Sequence, residues 1–271
     1  MKLDFGYFDT DIMINTSNFI ISKTTDKYSK AIHDQADKDG WITARSISNR
    51  IFGLPKNYQI DGNFVSDEHA RFIVWCLSFF FGVRLSTFPR EFLDATNIQI
   101  NNAFGFLFLN NSDVKIALEL AYSEFIKNDI ENNKRICSII HLLFMSRNKF
   151  YLQFERFIHT YMAIDGCYKF LKVKYMIKSS SHKERIKTIA NWAGIDIPSG
   201  FDDIPDIRNE LFHEGLFVNK PLGYFHCSYN LLFLNNFICK VLFKILNINA
   251  PDYISRAKCE TRDMVGVTVI P

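Results

Sequence analysis

Ile207-Arg208-Asn209-Glu210-Leu211-Phe212-His213-Glu214-Gly215 reads as a short helix, and the second half of the chain is best understood outward from it. Asp203 stands where a side chain can cap the start, Pro205 suits the first turn, and Gly215 can close the end. Ile204, Ile207 and Leu211 fall at i, i+3 and i+7, one apolar stripe facing a core. Off that stripe stand Arg208, Asn209 and His213. Asn209 and His213 are four apart and therefore neighbours, and the long side chain of Arg208 can reach back over the surface. A permanent cation, an amide and an imidazole titrating near neutrality are what metal-independent phosphodiester cleavage requires. The same residues also suit an ordinary helix end, with Arg208 paired to a carboxylate and His213 favoured by the dipole.

Upstream of this stretch the texture is helical from Asp113 onward. Val114, Ala117, Leu118, Ala121 and Phe125 have helical spacing. A second helix is expected over 132–146, with Ile136, Ile139, Ile140 and Leu143 inward. The longest runs from about 149 to 176 and carries Phe150, Phe154, Phe157, Ile158, Tyr161, Ile164 and Tyr168, with Gly166 permitting close approach of a neighbour. Ser181 caps a further helix over 182–192. Beyond Gly215 a loop passes Pro221 and Gly223. A last helix over about 226–246 is apolar on most faces, which a monomer must bury or leave for a partner.

The first hundred residues differ. Residues 1–26 alternate loosely, as in Ile12-Met13-Ile14-Asn15 and Phe19-Ile20-Ile21-Ser22, and read as short strands. Residues 42–52 suggest a helical turn or two, and Thr43-Ala44-Arg45-Ser46 could begin a DNA-reading helix, although nothing marks one firmly. Ser66 caps a helix from Asp67 to about Gly82 whose sides are almost all apolar, hence central. β-like stretches over 98–109 and the turn Asn110-Asn111-Ser112 place the domain change there. The expected fold is mainly α. Residues 1–111 form a mixed α/β accessory domain and 112–271 a helical-bundle domain.

Composition narrows the class. The 271 residues are 48% hydrophobic and 23% charged, ordinary for a globular protein. Phe is abundant at 27 copies beside 11 Tyr, which suits bulky packing and an interface. A net charge of +3 permits nucleic-acid binding only where basic residues cluster, as at Lys169, Lys172, Lys174 and Lys178, then Lys183, Arg185 and Lys187. The six cysteines form no CxxC, and read as buried thiols of a reducing compartment rather than a zinc or disulfide frame. No apolar run is long enough to cross a bilayer, and acids occupy the start where a signal peptide would be apolar. A cytoplasmic protein without a membrane partner is expected.

Other chemistry is sparse. The sequence contains no glycine-rich phosphate loop, nucleophile elbow or HExxH, and no cofactor or metal is expected. Asp202, Asp203 and Asp206 are explained by the dipole of the helix they precede. A second Arg-x(4–6)-His match, Arg135 to His141, has an apolar residue after its arginine and reads as opposite surfaces of a packed helix. His182, with Lys183 and Arg185 after it, could hold a phosphate backbone, and His159 could line a groove beside Tyr161 and Tyr168.

Residues of about 130–247 resemble the HEPN superfamily, in particular its ApeA-like branch. The signature is Arg, Asn, three free positions and His near a helix start in an all-α bundle. It stands here as Arg208-Asn209-Glu210-Leu211-Phe212-His213, trailed by Glu214-Gly215. Residues 157–166 look like the family's long first bundle helix, and residues 185–195 like the helix and turn leading to the motif. The resemblance implies an RNA endonuclease working without a metal, in which two copies of the domain face their motifs into one composite cleft. His213 would act as general base or acid at the ribose 2′-hydroxyl and leaving oxygen. Arg208 would bind the scissile phosphate, and Asn209 would orient His213 or a phosphate oxygen. The products would be a 2′,3′-cyclic phosphate and a 5′-hydroxyl, with DNA inert. The implied setting is a toxin–antitoxin pair or phage defence, with tRNA or mRNA as substrate, a homodimer, and an antitoxin or phage-derived trigger. Some HEPN toxins are silenced at a tyrosine two places after the histidine. Here that place is Gly215, which has no hydroxyl to modify. The alternative is a non-catalytic HEPN fold that binds RNA, a nucleotide or a protein.

Overall fold

A computed structural model describes residues 1–6, 12–24, 56–82, 84–87, 111–148, 151–179, 181–197, 201–222, 229–249, 260–262 and 267–269. The chain divides into two compact units, Met1–Lys127 and Asn128–Pro271. The first is mixed α/β and the second mainly helical. The candidate DNA-reading turn at 42–52, the β-like stretch at 98–109, His226, Cys227 and Cys259 lie outside the described residues or side chains.

Four strands, β1 (Lys2–Phe5), β2 (Ile14–Asn15), β3 (Phe19–Lys23) and β4 (Tyr58–Gly62), form an antiparallel sheet in the order β1-β4-β3-β2. Thr16 sets the β2–β3 turn, its hydroxyl donating to the Phe19 carbonyl (2.8 Å) and accepting from the Phe19 N–H (2.9 Å). Phe5, Ile14, Phe19, Ile21, Tyr58 and Ile60 are buried, as the period-two pattern of a half-covered sheet demands. Gly62 closes β4 where only hydrogen fits, since a Cβ there would lie 2.4 Å from the Cβ of Phe19.

Helix α1 (Asp67–Phe81) begins as its cap requires, the Ser66 hydroxyl accepting from the His69 N–H at 3.2 Å. Helix α2 (Asn111–Lys127) packs on α1 and β2. Its helical texture groups it with the second half of the sequence, but its stripe of Val114, Ala117, Leu118, Ala121 and Phe125 is buried in the first unit. The units therefore meet in sequence at 127/128, not after residue 111.

The second unit contains α3 (Ile130–Ser146), α4 (Gln153–Tyr175), α5 (His182–Ala193), α6 (Ile204–His213) and α7 (Tyr229–Ile245). It also holds two hairpins, β5–β6 (Leu216–Phe217, Lys220–Pro221) and β7–β8 (Glu260–Arg262, Val267–Val269). Helices α3 and α4 pack most extensively. At their contact a Cβ on Gly166 would sit 2.9 Å from Ile139 Cγ1, so the glycine does permit the close approach. Helix α7 packs against α3, α4 and α5, and buries Leu231, Leu234, Phe237, Ile238, Val241, Leu242 and Ile245. Those residues are hidden within their own unit. The buried Asn235 amide lies 2.8 Å from Ser146 Oγ and 3.3 Å from Thr160 Oγ, joining α7 to α3 and α4. Among the described residues no helix is long and apolar enough to cross a membrane.

Candidate functional site

Helix α6 is continuous with a 3-10 turn over Phe201–Asp203. Asp203 is consequently already in a helical conformation and makes no side-chain cap bond, contrary to the expectation from its position. Pro205 does occupy the first turn, and Gly215 just beyond the end has a positive φ of 68°. Ile204 and Leu211 are buried and Ile207 half-buried, so the apolar stripe fixes which side of the helix faces out.

On the outer side Asn209 and His213 are exposed and Arg208 is half-buried. The Arg208 guanidinium donates to Asn209 Oδ1 at 3.0 Å and lies 5.0 Å from the centre of the half-exposed Phe212 ring. Among the described residues no carboxylate pairs with Arg208, and His213 has no hydrogen-bond partner. Glu210, between them, accepts from the backbone N–H of Asn219 and clasps the β5–β6 hairpin to the helix.

Three elements converge beside Arg208, because α4, α5 and α6 pack on one another. From α4, one turn apart, come Tyr161 and Asp165; from the first turn of α5 come His182 and Arg185. The Tyr161 hydroxyl and His182 Nδ1 are 2.9 Å apart. Arg185 donates to Asp165 Oδ1 at 2.9 Å and stands 3.3 Å from His182 Nδ1, with its guanidinium 5.1 Å from the Tyr168 ring centre. Burial raises the Tyr161 phenol to about 12, with Asp165 adding to the rise and Arg208 and Arg185 opposing it. Burial likewise lowers the His182 pKa, helped by the Arg185 and Arg208 charges and opposed by Asp165. Arg208 thus acts electrically on both groups.

The four residues marked for RNA contact separate. His182 and Arg185 stand together on α5, which packs on the helix that carries Arg208. Lys183 points instead to Asp202 (3.6 Å), which Lys187 also approaches (3.5 Å), so one of the acids before α6 answers lysines of α5. His159 lies about 200° around α4 from Tyr161, taking about 100° per residue. It is stacked on Tyr151 with centroids 5.5 Å apart, and burial lowers its pKa. It does not share a groove with Tyr161. Sequence reading missed Asp165 and the role of Tyr161; their only local signal is the i, i+4 spacing of a phenol and a carboxylate.

Of the four described cysteines Cys76, Cys167 and Cys239 are buried as expected and Cys137 is only half-buried; desolvation raises the Cys167 thiol above its ordinary range and the Cys239 thiol to about 12. Among the described residues no group of three or more His, Cys, Asp or Glu is arranged to hold a metal ion. Comparison with protein-family models, with curated proteins and with solved structures yields no match to this chain.

Proposed function

We propose that the second unit is a HEPN-type RNA endonuclease that cuts without a metal, as a homodimer in which two copies of Arg208, Asn209 and His213 line one cleft. The observation that supports this reading is the pairing, on one short helix, of an exposed His213 with an Arg208 that has no counter-ion among the described residues. In the proposed reaction one imidazole removes the proton of the ribose 2′-hydroxyl, and that oxygen attacks the adjacent phosphorus. The bond from phosphorus to the 5′ oxygen breaks, and a protonated imidazole returns a proton to the leaving oxygen. Arg208 neutralises the charge that builds on the phosphoryl oxygens. The products are a 2′,3′-cyclic phosphate and a 5′-hydroxyl. Toxin or anti-phage activity on tRNA or mRNA is the setting the resemblance implies, with an antitoxin or phage-derived trigger as regulator.

A second reading, a non-catalytic RNA-binding, nucleotide-binding or protein-binding HEPN fold, is favoured by one observation: no described residue of the same subunit orients His213. Incubation of the purified protein with tRNA and mRNA in chelator parts the two. The nuclease reading expects cleavage that falls by about 10²-fold or more in His213→Ala and Arg208→Ala with circular dichroism unchanged. Intact RNA at high protein concentration, with salt-dependent binding retained, selects the second reading.

A further inference from the structure

Arg185 and Tyr161 converge on one nitrogen of His182. Arg185 can only donate, whereas the Tyr161 hydroxyl can donate or accept. The Arg185 N–H, 3.3 Å from Nδ1, can only be accepted there, which assigns that atom the acceptor role and the hydroxyl at 2.9 Å the donor role. The proton of a neutral ring then sits on Nε2, and a second proton on Nδ1 would face the Arg185 N–H. The side chain is 34% exposed, and Nε2 has no partner among the described residues. Arg185 is already joined to Asp165 and Tyr168, whereas among the described residues no carboxylate meets the half-buried Arg208.

We propose that His182 is a neutral Nε2–H donor which, with Arg208, binds an RNA phosphate, and that Tyr161 and Arg185 are positioning residues that fix its tautomer. The identity of the ligand rests on the nuclease reading, but the tautomer and the site do not. An imidazole so held is a poor base, because its lone pair is engaged, and a poor acid, because a second proton on Nδ1 would face the Arg185 N–H. Its role is to orient the strand while His213 does the proton transfer. The groups that face it are Tyr161 and Asp165 from α4, Arg185 from its own helix and Arg208 from α6.

The test uses the full chain and a fluorescent RNA oligonucleotide methylated at every 2′ oxygen, which cannot be cut, with anisotropy read across a salt series. Arg208→Ala should weaken binding and reduce the slope of log affinity against log salt by about one. His182→Ala should weaken binding on the order of tenfold with the slope unchanged, since a neutral donor releases no counter-ion. His182→Gln, which keeps an N–H donor, should lose less. Nitrogen-15 spectra of the wild-type histidines at pH 7 should show the Nε2–H tautomer for His182, with its signal moved by the oligonucleotide. The proposal is overturned by an Nδ1–H tautomer, by His182→Ala binding as wild type, or by its slope falling by one. Inorganic phosphate moving that signal as strongly as the oligonucleotide overturns RNA as the ligand. Wild type that binds the probe but leaves ordinary RNA intact sinks the nuclease reading alone.

Discussion

His69 in the first unit and His182 in the second are both held below the ordinary histidine range, with burial the larger cause in each, but their surroundings differ in kind. His69 is fully buried among rings: Phe125 stacks on it at 4.2 Å and 4°, Tyr122 lies at 4.3 Å and Phe64 meets it edge-on at 5.3 Å. Neither of its nitrogens makes a well-formed hydrogen bond. Its pKa falls to about 4, the Tyr122 backbone offsetting burial only in part. His182 is partly exposed and ringed by a phenol, a carboxylate and two guanidinium groups. The first imidazole serves as a flat aromatic plate, interchangeable in principle with a hydrocarbon ring. The second keeps one nitrogen engaged and one open, an arrangement no apolar residue can imitate.

The sharpest separation is expected with pH. A folded pKa of about 4 against 6.5 unfolded means the unfolded chain binds the extra proton first as pH falls. Stability of the first unit is therefore intact above about 6.5 and declines toward 4. By pH 5 the loss is on the order of 2 kcal/mol relative to pH 8. Urea midpoints at the two pH values measure it, and His69→Phe should remove most of the difference. A pH dependence unaltered in His69→Phe would show that His69 is not the titrating group.

A smaller effect tests the wet side of the comparison. Arg185→Lys keeps the charge but loses the flat fork that meets Asp165 and Tyr168 together, and should lower the stability of the second unit by about 1 kcal/mol. Thermal melts read it. A neutral result would mean that these contacts contribute only as much as exposed charges do. The smallest effect belongs to Lys183→Ala, within about 0.5 kcal/mol of wild type by denaturant titration, because its exposed partner Asp202 keeps Lys187.

Local chemistry was readable from the chain, and what depends on the far side of a contact was not. Ser66 and Ser181 announced α1 and α5, since a cap needs only the next three residues. The stripe of α2 showed that the helix has a buried face but not that α1 lies against it. Strand β4, inner to the sheet, escaped because its two buried residues, Tyr58 and Ile60, sit among Gly, Asn and Asp, and pair with β1 and β3 from far along the chain. At the candidate site Arg208, Asn209 and His213 follow from spacing on one helix. The meeting of Tyr161, Asp165, His182 and Arg185 depends on how α4 and α5 pack, and the intervening residues carry no sign of it.

The hairpin after α6 turns on Val218 and Asn219, both left-handed at φ 53° and 55°. For a β-branched valine that conformation is unfavourable by roughly 1–2 kcal/mol. Phe217, fully buried and 5.3 Å from the Phe157 ring centre, and the Glu210 clasp hold the chain in it. The peptide leaving the motif is thus tied to the bundle on both sides of its bend. That leaves His213 at the end of a helix whose exit is fixed at two points, while the imidazole itself stands open to solvent.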